Sequence, residues 1–283
     1  SDVSDAVVNS ASLLASIFNS KITLLTIVER PVPVIHEGLE NLVEPEEIKL
    51  LIQLEKELRQ QAEERLADYS SKLLEKGFDV KTIIEVSNIV DGILDNAERE
   101  KADLIVLGSH KKGLLDRFLL GSVSEKVINK SPVSTLVVKG QTIEKLKKLL
   151  VGYDFLPASK EALNTAVSIA EKCQSELFIV HAETDLGHPH LFSVAKSVAA
   201  KKVKLLDQIV DQLKEKNIPA KYEILEEKPV DAILEEIEKY HPDLTFVGKR
   251  KSSKLKRLFL GSTAMKIVKQ SPTSVLIVRK KDV

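Results

Sequence analysis

The stretch VDGILDNAEREKADLIVLG, from Val90 to Gly108, joins a helical pattern to a strand pattern. Apolar residues recur at helical spacing in its first part, and its last residues form an apolar run of strand length. The same pattern returns as VDAILEEIEKYHPDLTFVG, from Val230 to Gly248, which lies 140 residues further along the chain. The chain therefore repeats a helix–strand unit, and this repeat determines the fold that we predict.

The repeat continues on the C-terminal side of this stretch. Gly121 and Gly261 are also 140 residues apart, as are Pro132 and Pro272. Solenoid proteins stack units of roughly 20 to 50 residues, which are much shorter than these two copies. We therefore infer duplicated domains.

The two copies differ in length. Residues 4–28 resemble residues 159–183 at an offset of 155, so the first copy has 15 additional residues between its second and third strands. We expect domain 1 at residues 1–140 and domain 2 at residues 146–283, with the boundary in the charged stretch from Gly140 to Lys148.

Strands alternate with helices in the second copy, whose first helix has Ser159 as its predicted N-cap. The predicted strands occupy residues 148–154, 177–182, 220–225, 244–248 and 274–278. Such alternation requires crossover connections and a parallel sheet that is covered on both faces. We predict two tandem doubly wound α/β domains, each with an open five-stranded parallel sheet and helices on both faces.

The first copy has no visible counterpart of the first strand. At the offset of 155, Ser1 aligns with Leu156, just after the strand at residues 148–154. We expect this strand to be missing from the given sequence, because it should be central and buried on both faces. A genuine four-stranded first domain is the alternative.

The composition is that of a soluble globular protein, with 43% hydrophobic and 30% charged residues among 283. A formal net charge of zero gives no overall attraction to nucleic acid or to an anionic membrane. The apolar runs are of strand length and no charged leader is visible, so we expect neither a membrane span nor a signal peptide. The single cysteine, Cys173, can form no internal disulfide, which favours a reducing, cytoplasmic setting.

A glycine-bounded motif follows the fourth strand of each copy: GSHKKGLLDRFLLGS from Gly108 to Ser122, and GKRKSSKLKRLFLGS from Gly248 to Ser262. In doubly wound sheets, ligands bind beyond the carboxyl ends of the strands where the strand order reverses. Ser122 precedes Glu125 by three residues, which is the spacing of a capping box at a helix start. The free amide groups and the dipole of such a helix start favour a phosphate.

The motif resembles the nucleotide-binding signature of the universal stress protein family, in its tandem two-domain form. That signature is Gly, two residues, Gly, nine residues, Gly, and then Ser or Thr. The matching positions are Gly108, Gly121 and Ser122 in the first copy and Gly248, Gly261 and Ser262 in the second. The resemblance covers nearly the whole chain, but Lys111 and Lys251 stand at the second glycine.

In nucleotide-binding members of this family, the glycines and the hydroxyl hold phosphates and ribose. An aspartate after the first strand and the backbone near the end of the second strand hold the base. The resemblance gives the base-contacting role to Asp154 and Ala182, and to Ile27 in the first copy, where no counterpart of the aspartate is visible. The implied nucleotide-contacting residues are Ile27, Gly108, His110, Lys111, Gly121, Ser122, Val123 and Ser124 in the first copy, and Asp154, Ala182, Gly248, Arg250, Lys251, Gly261, Ser262 and Thr263 in the second.

Lys111 and Lys251 leave two interpretations open. Forcing a non-glycine residue into a left-handed conformation costs roughly 1–2 kcal/mol. A charge-assisted contact with phosphate contributes about as much, roughly 1.5–3 kcal/mol. The lysines therefore either replace the lost backbone contacts or close the pocket. We expect adenine-nucleotide binding to be retained, with ATP, ADP or AMP as ligand.

The nine residues from Lys249 to Arg257 include six basic ones, which fit either contact with nucleotide phosphate or a solvated loop. No aromatic residue lies between Gly248 and Leu258, so stacking on nucleic-acid bases is not expected. No metal site is predicted, because His181, Asp185, His188 and His190 match no standard zinc spacing. Mg²⁺ is compatible with bound ATP, although no motif requires it.

The predicted function is an adenine-nucleotide-binding universal stress protein, which acts as a regulatory or binding module of the stress response. The alternatives are a nucleotide-free scaffold that acts through dimerisation and a weak ATPase, although no catalytic residue is evident. The resemblance implies an intramolecular pseudo-dimer that pairs through the last strands, Ser134–Val138 and Ser274–Val278. A further homodimer is compatible with it, and no membrane partner is expected.

Overall fold

The computed structural model describes residues 2–29, 45–111, 118–183, 192–250 and 260–280. Helices and strands alternate through these ranges. The helices are α1 (Asp2–Phe18), α2 (Pro45–Glu75), α3 (Ile89–Arg99), α4 (Ser122–Lys130), α5 (Pro157–Cys173), α6 (Phe192–Glu215), α7 (Pro229–Tyr240) and α8 (Ser262–Gln270). The strands are β1 (Ile22–Val28), β2 (Val80–Val86), β3 (Leu104–Gly108), β4 (His110–Lys111), β5 (Phe118–Leu119), β6 (Ser134–Val138), β7 (Lys148–Gly152), β8 (Glu176–Ala182), β9 (Ala220–Leu225), β10 (Leu244–Gly248) and β11 (Val275–Val278).

The chain divides into two compact units. The larger unit comprises Ser1–Leu13 and Asp103–Val283, and the smaller unit comprises Leu14–Ala102. The larger unit contains a seven-stranded sheet in the order β3-β6-β11-β10-β7-β8-β9, together with the antiparallel pair β4-β5. The smaller unit contains the parallel pair β1-β2.

The second copy forms the predicted doubly wound sheet. Its five strands lie in the order β11-β10-β7-β8-β9, and every neighbouring pair among them is parallel. Parallel strands that are covered on both faces read as continuous apolar runs. The run from Leu177 to Val180 in β8 is accordingly almost fully buried. The strand order reverses between β7 and β10, which places a crevice at their carboxyl ends.

The described residues of the first copy contain four strands that correspond to the predicted sheet, β1, β2, β3 and β6, and two short strands, β4 and β5. β3 pairs in parallel with β6 in the larger unit, and β1 pairs in parallel with β2 in the smaller unit. The short pair β4-β5 was not predicted, because each strand has only two residues and so shows no alternation in the sequence.

The two copies meet at one antiparallel strand pair, β6 with β11, which we call the repeat seam. Val275 pairs with Val137, and Ile277 pairs with Thr135. Reciprocal hydrogen bonds extend the seam on both sides. The amide of Lys139 donates to Ser274 Oγ (3.2 Å), and the amide of Arg279 donates to Ser134 Oγ (3.0 Å). Lys139 and Arg279 occupy equivalent positions in the two copies, so the seam has approximate two-fold symmetry.

Two buried lysines cross the repeat seam. Lys139, of which 2% is exposed, donates from Nζ to the carbonyl of Val268 in the last turn of α8. Lys249, of which 3% is exposed, donates from Nζ to three carbonyls at the end of α4, those of Ile128 (2.6 Å), Asn129 (3.0 Å) and Ser131 (3.2 Å). A cation at a helix C-terminus interacts favourably with the helix dipole. Each lysine therefore joins one copy to a helix end of the other.

Because Lys139 is buried, we expect the free energy of unfolding to increase as the pH rises above neutral. Burial lowers the pKa of its ammonium from the ordinary 10.5 to about 8. Between these two pH values the unfolded chain keeps a proton that the folded chain has released, so the free energy of unfolding rises with pH. Urea unfolding of the wild type and Lys139→Met at pH 8 and pH 10 measures this effect. We expect the wild type to gain on the order of 2 kcal/mol relative to the variant. If the difference in free energy of unfolding between the wild type and Lys139→Met were the same at pH 8 and pH 10, this prediction would be wrong.

No helix in the described part of the chain combines the length and apolar character needed to cross a membrane.

Candidate functional site

The crevice between β7 and β10 brings together several of the predicted site residues. Asp154 follows the end of β7, Gly248 ends β10, and Arg250 lies two residues beyond it. Arg250 donates from Nη2 to Asp154 Oδ2 across this crevice. The ion pair thus joins two residues that are 96 positions apart in the sequence.

The carboxylate of Asp154 is held by three donors. Oδ1 accepts from the amide of Leu156 (3.0 Å) and from Ser159 Oγ (2.7 Å), while Oδ2 accepts from Arg250. Burial by itself would raise the pKa of Asp154, but the hydrogen bonds from Ser159, Arg250 and Leu156 lower it below the ordinary value. The carboxyl group is therefore an anion at neutral pH, and it is partly exposed.

Ser159 and Ser122 are not the helix caps that their spacing predicts. The N-cap of α5 is Leu156, because Pro157 takes the first helical position, for which its fixed φ is well suited. Ser159 lies inside the first turn and uses its hydroxyl to hold Asp154. The N-cap of α4 is Gly121, which leaves Ser122 as the first helical residue.

The start of α8 is the side of the crevice that is suited to an anion. Gly261 is its N-cap, no side chain caps its amide groups, and its first turn contains no acidic residue. A Cβ placed on Gly261 would lie 3.9 Å from Cδ of Arg250. The amides of Ser262 and Thr263 begin this helix. Amide groups and the positive end of the helix dipole thus lie beside the stem of the Arg250 side chain.

The start of α4, the equivalent place in the first copy, differs in charge. It is also uncapped by any side chain, but its first turn contains Glu125, which pairs with Lys269 at 2.7 Å. The hydroxyl of Ser124 donates to the carbonyl of Gly108 (3.3 Å), which connects this helix start to the end of β3. A carboxylate in the first turn makes this helix start less favourable for a phosphate.

Gly248 is required for the packing of β10 against α5. A Cβ at this position would lie 2.4 Å from the backbone carbonyl carbon and oxygen of Ala158, and 2.7 Å from the amide nitrogen of Ser159. Backbone atoms cannot move aside as a flexible side chain can. The glycine therefore lets the crevice strand approach the helix whose first turn holds Asp154.

An aromatic cluster lies beside Asp154, and it was not predicted from the sequence. The ring of Phe155 packs edge-on against Tyr153 (5.0 Å between centroids) and His181 (4.8 Å). Phe155 has a φ of 63°, which is uncommon for a bulky residue and costs on the order of 1–3 kcal/mol. Such strain is concentrated at functional sites. The tripeptide Tyr153-Asp154-Phe155 directly after a strand was the available signal.

A polar chain lies behind this aromatic cluster. One ring nitrogen of buried His181, Nδ1, lies 2.8 Å from the carbonyl of Tyr153, and the other, Nε2, lies 3.2 Å from Glu183 Oε1. Lys202 Nζ donates to the same oxygen of Glu183 (2.6 Å). The contact with Lys202 is the main reason that the pKa of Glu183 is lowered. These contacts fix the end of β8, where Ala182 lies.

The remaining predicted residues are distributed more widely. Ile27 belongs to the smaller unit, and its side chain packs against Gly92 of α3. Val123 lies in the first turn of α4. The backbone of His110 and Lys111 forms β4. Lys251 lies outside the described residues, as do Asp185, His188 and His190.

From the sequence, Lys249 was expected in a basic loop that contacts either nucleotide phosphate or solvent, and the structure shows a different position. Its ammonium is buried and faces the end of α4, as described above. No group of three or more His, Cys, Asp or Glu side chains within the described ranges is arranged to hold a metal ion.

Comparison with known proteins agrees with this geometry. A profile of the universal stress protein family matches residues 1–139 and again residues 145–279. The chain belongs to the universal stress protein family. Both copies of the repeat therefore carry the family fold, in tandem.

Individual universal stress proteins are similar to parts of this chain. A universal stress protein of Methanocaldococcus jannaschii is 41% identical over 87 residues, which are 31% of this chain and 54% of that protein. A universal stress protein of Bacillus subtilis is 28% identical over 145 residues, which are 47% of this chain and 98% of that protein. The chain spans about half the length of the first two curated relatives that it matches, 54% and 48%.

A solved structure supports the tandem fold. The crystal structure of a universal stress protein from Archaeoglobus fulgidus has a TM-score of 0.75 at 23% identity. The alignment covers 99% of this chain and 96% of that protein. At this identity the similarity demonstrates the fold and leaves the ligand to be argued from the site itself.

Proposed function

We propose that this universal stress protein binds an adenine nucleotide in its second copy and acts as a regulatory or binding module of the stress response. The observation that carries the proposal is the pair Arg250–Asp154 in the crevice between β7 and β10. Asp154 offers a carboxylate to the hydrogen-bond donors of a base or ribose. The start of α8 and Arg250 offer amides and a positive charge to the phosphates. ATP, ADP and AMP all fit this description, and Mg²⁺ would accompany ATP.

One nucleotide per chain is expected. The second copy has Asp154 and an acid-free helix start at Gly261. The first copy has Glu125 in the first turn of α4, where a carboxylate is unfavourable for a phosphate. Gly108, Gly121, Ser122, Val123 and Ser124 are then residues of the first copy that do not contact nucleotide.

The two copies are proposed to act as an intramolecular pseudo-dimer, with domains at residues 1–140 and 146–283. The antiparallel pairing of β6 with β11 supports this proposal. A strand edge that is paired in this way is also protected from aggregation. A partner protein would then recognise surfaces near the crevice, in the cytoplasm. The nucleotide-free scaffold remains the outcome to expect if no nucleotide binds.

Matched glycine variants test the ligand assignment. Gly261→Val places a branched side chain where the phosphate would approach, and its Cβ has room there, since the nearest atom is 3.9 Å away. We expect a melting temperature equal to that of the same change at Gly121, which is also a helix N-cap, and an AMP or ATP affinity at least tenfold weaker than in the wild type, from the loss of one or more charge-assisted contacts. Isothermal titration calorimetry measures the affinity.

The control is Gly121→Val, the same change at the equivalent position, where no atom lies within 4 Å of a Cβ. This variant should bind nucleotide as the wild type does. Equal loss of affinity in both variants would contradict a site confined to the second copy, and unchanged affinity in Gly261→Val would contradict the phosphate position.

A further inference from the structure

We propose that Arg250 makes the site selective for phosphorylated ligands, so that adenine nucleotides bind more tightly than adenosine. This inference rests on the proposed nucleotide site. It assigns Arg250 two alternative anionic partners: Asp154, as in the structure, and the phosphate of a bound nucleotide.

The first step is that a bound base or ribose competes with Arg250 for Asp154 Oδ2, because Oδ1 already accepts two hydrogen bonds. Both oxygens of Asp154 already accept hydrogen bonds, Oδ1 from Leu156 and Ser159 and Oδ2 from Arg250. The two donors to Oδ1 belong to the turn and the first turn of α5, and they hold the carboxylate in place. Arg250 is the donor that can leave, because its side chain is 57% exposed. A base or ribose that takes the place of Arg250 at Oδ2 therefore opens the ion pair.

The second step is that a phosphate gives the released guanidinium group a new anionic partner. Its side chain passes close to Gly261, and the helix that begins there presents amide hydrogens and the positive end of its dipole. The first turn of α8 contains no acidic residue that could take the place of Asp154. A phosphate group beside Gly261 would balance both the guanidinium and the helix end, whereas adenosine would leave the cation unpaired against a positive helix end.

Neighbouring Lys249 cannot take over this role. Its ammonium is buried against the three carbonyls at the end of α4, so it points away from the crevice. Arg250 is therefore the residue that links the base side of the crevice to its phosphate side.

The experiment compares AMP and adenosine binding by the wild type and Arg250→Met, using calorimetry on the full chain. Methionine keeps an apolar stem of similar length and removes the charge. Adenosine affinity should increase about two- to fivefold, since an exposed ion pair no longer has to open. AMP affinity should fall about tenfold or more, because the phosphate loses a charge-assisted contact. The preference for AMP over adenosine should then shrink by a factor of at least about 20.

The control is Arg99→Met. Arg99 has an equally exposed side chain, at 59%, and pairs with Glu85 in the smaller unit. This variant should keep the wild-type preference. An unchanged preference in Arg250→Met, with AMP still bound by the wild type, would overturn this inference alone. Binding of neither ligand by either protein would overturn the proposed function together with the inference. Adenosine binding by Arg250→Met, with no AMP bound by the wild type, would overturn the inference, because Arg250 would then have no phosphate partner.

Discussion

The variant Gly248→Ala is expected to have a free energy of unfolding about 3 kcal/mol lower than the wild type, because overpacking against backbone atoms cannot relax easily. The added Cβ would lie 2.4 Å from the backbone of Ala158. Either β10 or the start of α5 must move, and α5 positions Ser159, which holds Asp154. We therefore expect nucleotide binding to be lost together with stability. Urea unfolding followed by circular dichroism measures the first effect.

The control for this prediction is Gly121→Ala. No atom lies within 4 Å of a Cβ at Gly121, and its φ of −66° suits any residue. Its stability should stay within about 0.5 kcal/mol of the wild type, as for most surface substitutions. If Gly248→Ala were as stable as Gly121→Ala, the close approach of β10 to α5 would be wrong.

The variant Lys249→Met is expected to reduce the free energy of unfolding by about 2–3 kcal/mol, since it leaves carbonyls at a buried helix end without donors. Lys249 donates to three carbonyls between Ile128 and Ser131. Burial lowers the pKa of its ammonium to about 8, so the cation is still present at pH 7. Methionine removes the free-energy cost of burying a charge, but it donates no hydrogen bond to the carbonyls. Urea unfolding at pH 7 provides the measurement.

A matched substitution separates this effect from the loss of any lysine. Lys214, with a side chain 62% exposed, pairs only loosely with Asp211 at 3.5 Å. Lys214→Met should therefore change stability by less than about 0.5 kcal/mol. A stability of Lys249→Met equal to that of Lys214→Met would show that the contacts of Lys249 with α4 do not stabilise the fold.

The fold of the second copy was predictable because its signals are local. Continuous apolar runs such as Leu177–Val180 identify buried parallel strands, and helical periodicity identifies the crossovers. The doubling at an offset of 140 then implied the tandem arrangement. The two-stranded pair β4-β5 and the helix caps were missed or misplaced, since Pro157 and Gly121 took precedence over the serines that a cap pattern favours.

The contacts that define the candidate site could not be predicted from the sequence. Asp154 and Arg250 were each named as ligand-contacting residues, but their ion pair joins positions that only the folded sheet brings together. Lys249 illustrates the same limit. It stands in a run of basic residues that suggests a solvated or ligand-binding loop, yet its partners lie about 120 positions earlier in the chain.

Calorimetric titration of the full chain with AMP, ADP and ATP tests the nucleotide site most directly, with Asp154→Ala as the comparison. Asp154 is partly exposed, with 40% of its side chain accessible, so its removal should leave the fold intact. We predict that at least one of the three nucleotides binds the wild type with a stoichiometry of one per chain, and that Asp154→Ala loses this binding. Absence of binding by all three nucleotides, a stoichiometry of two, or undiminished binding by Asp154→Ala would contradict a single adenine-nucleotide site in the second copy.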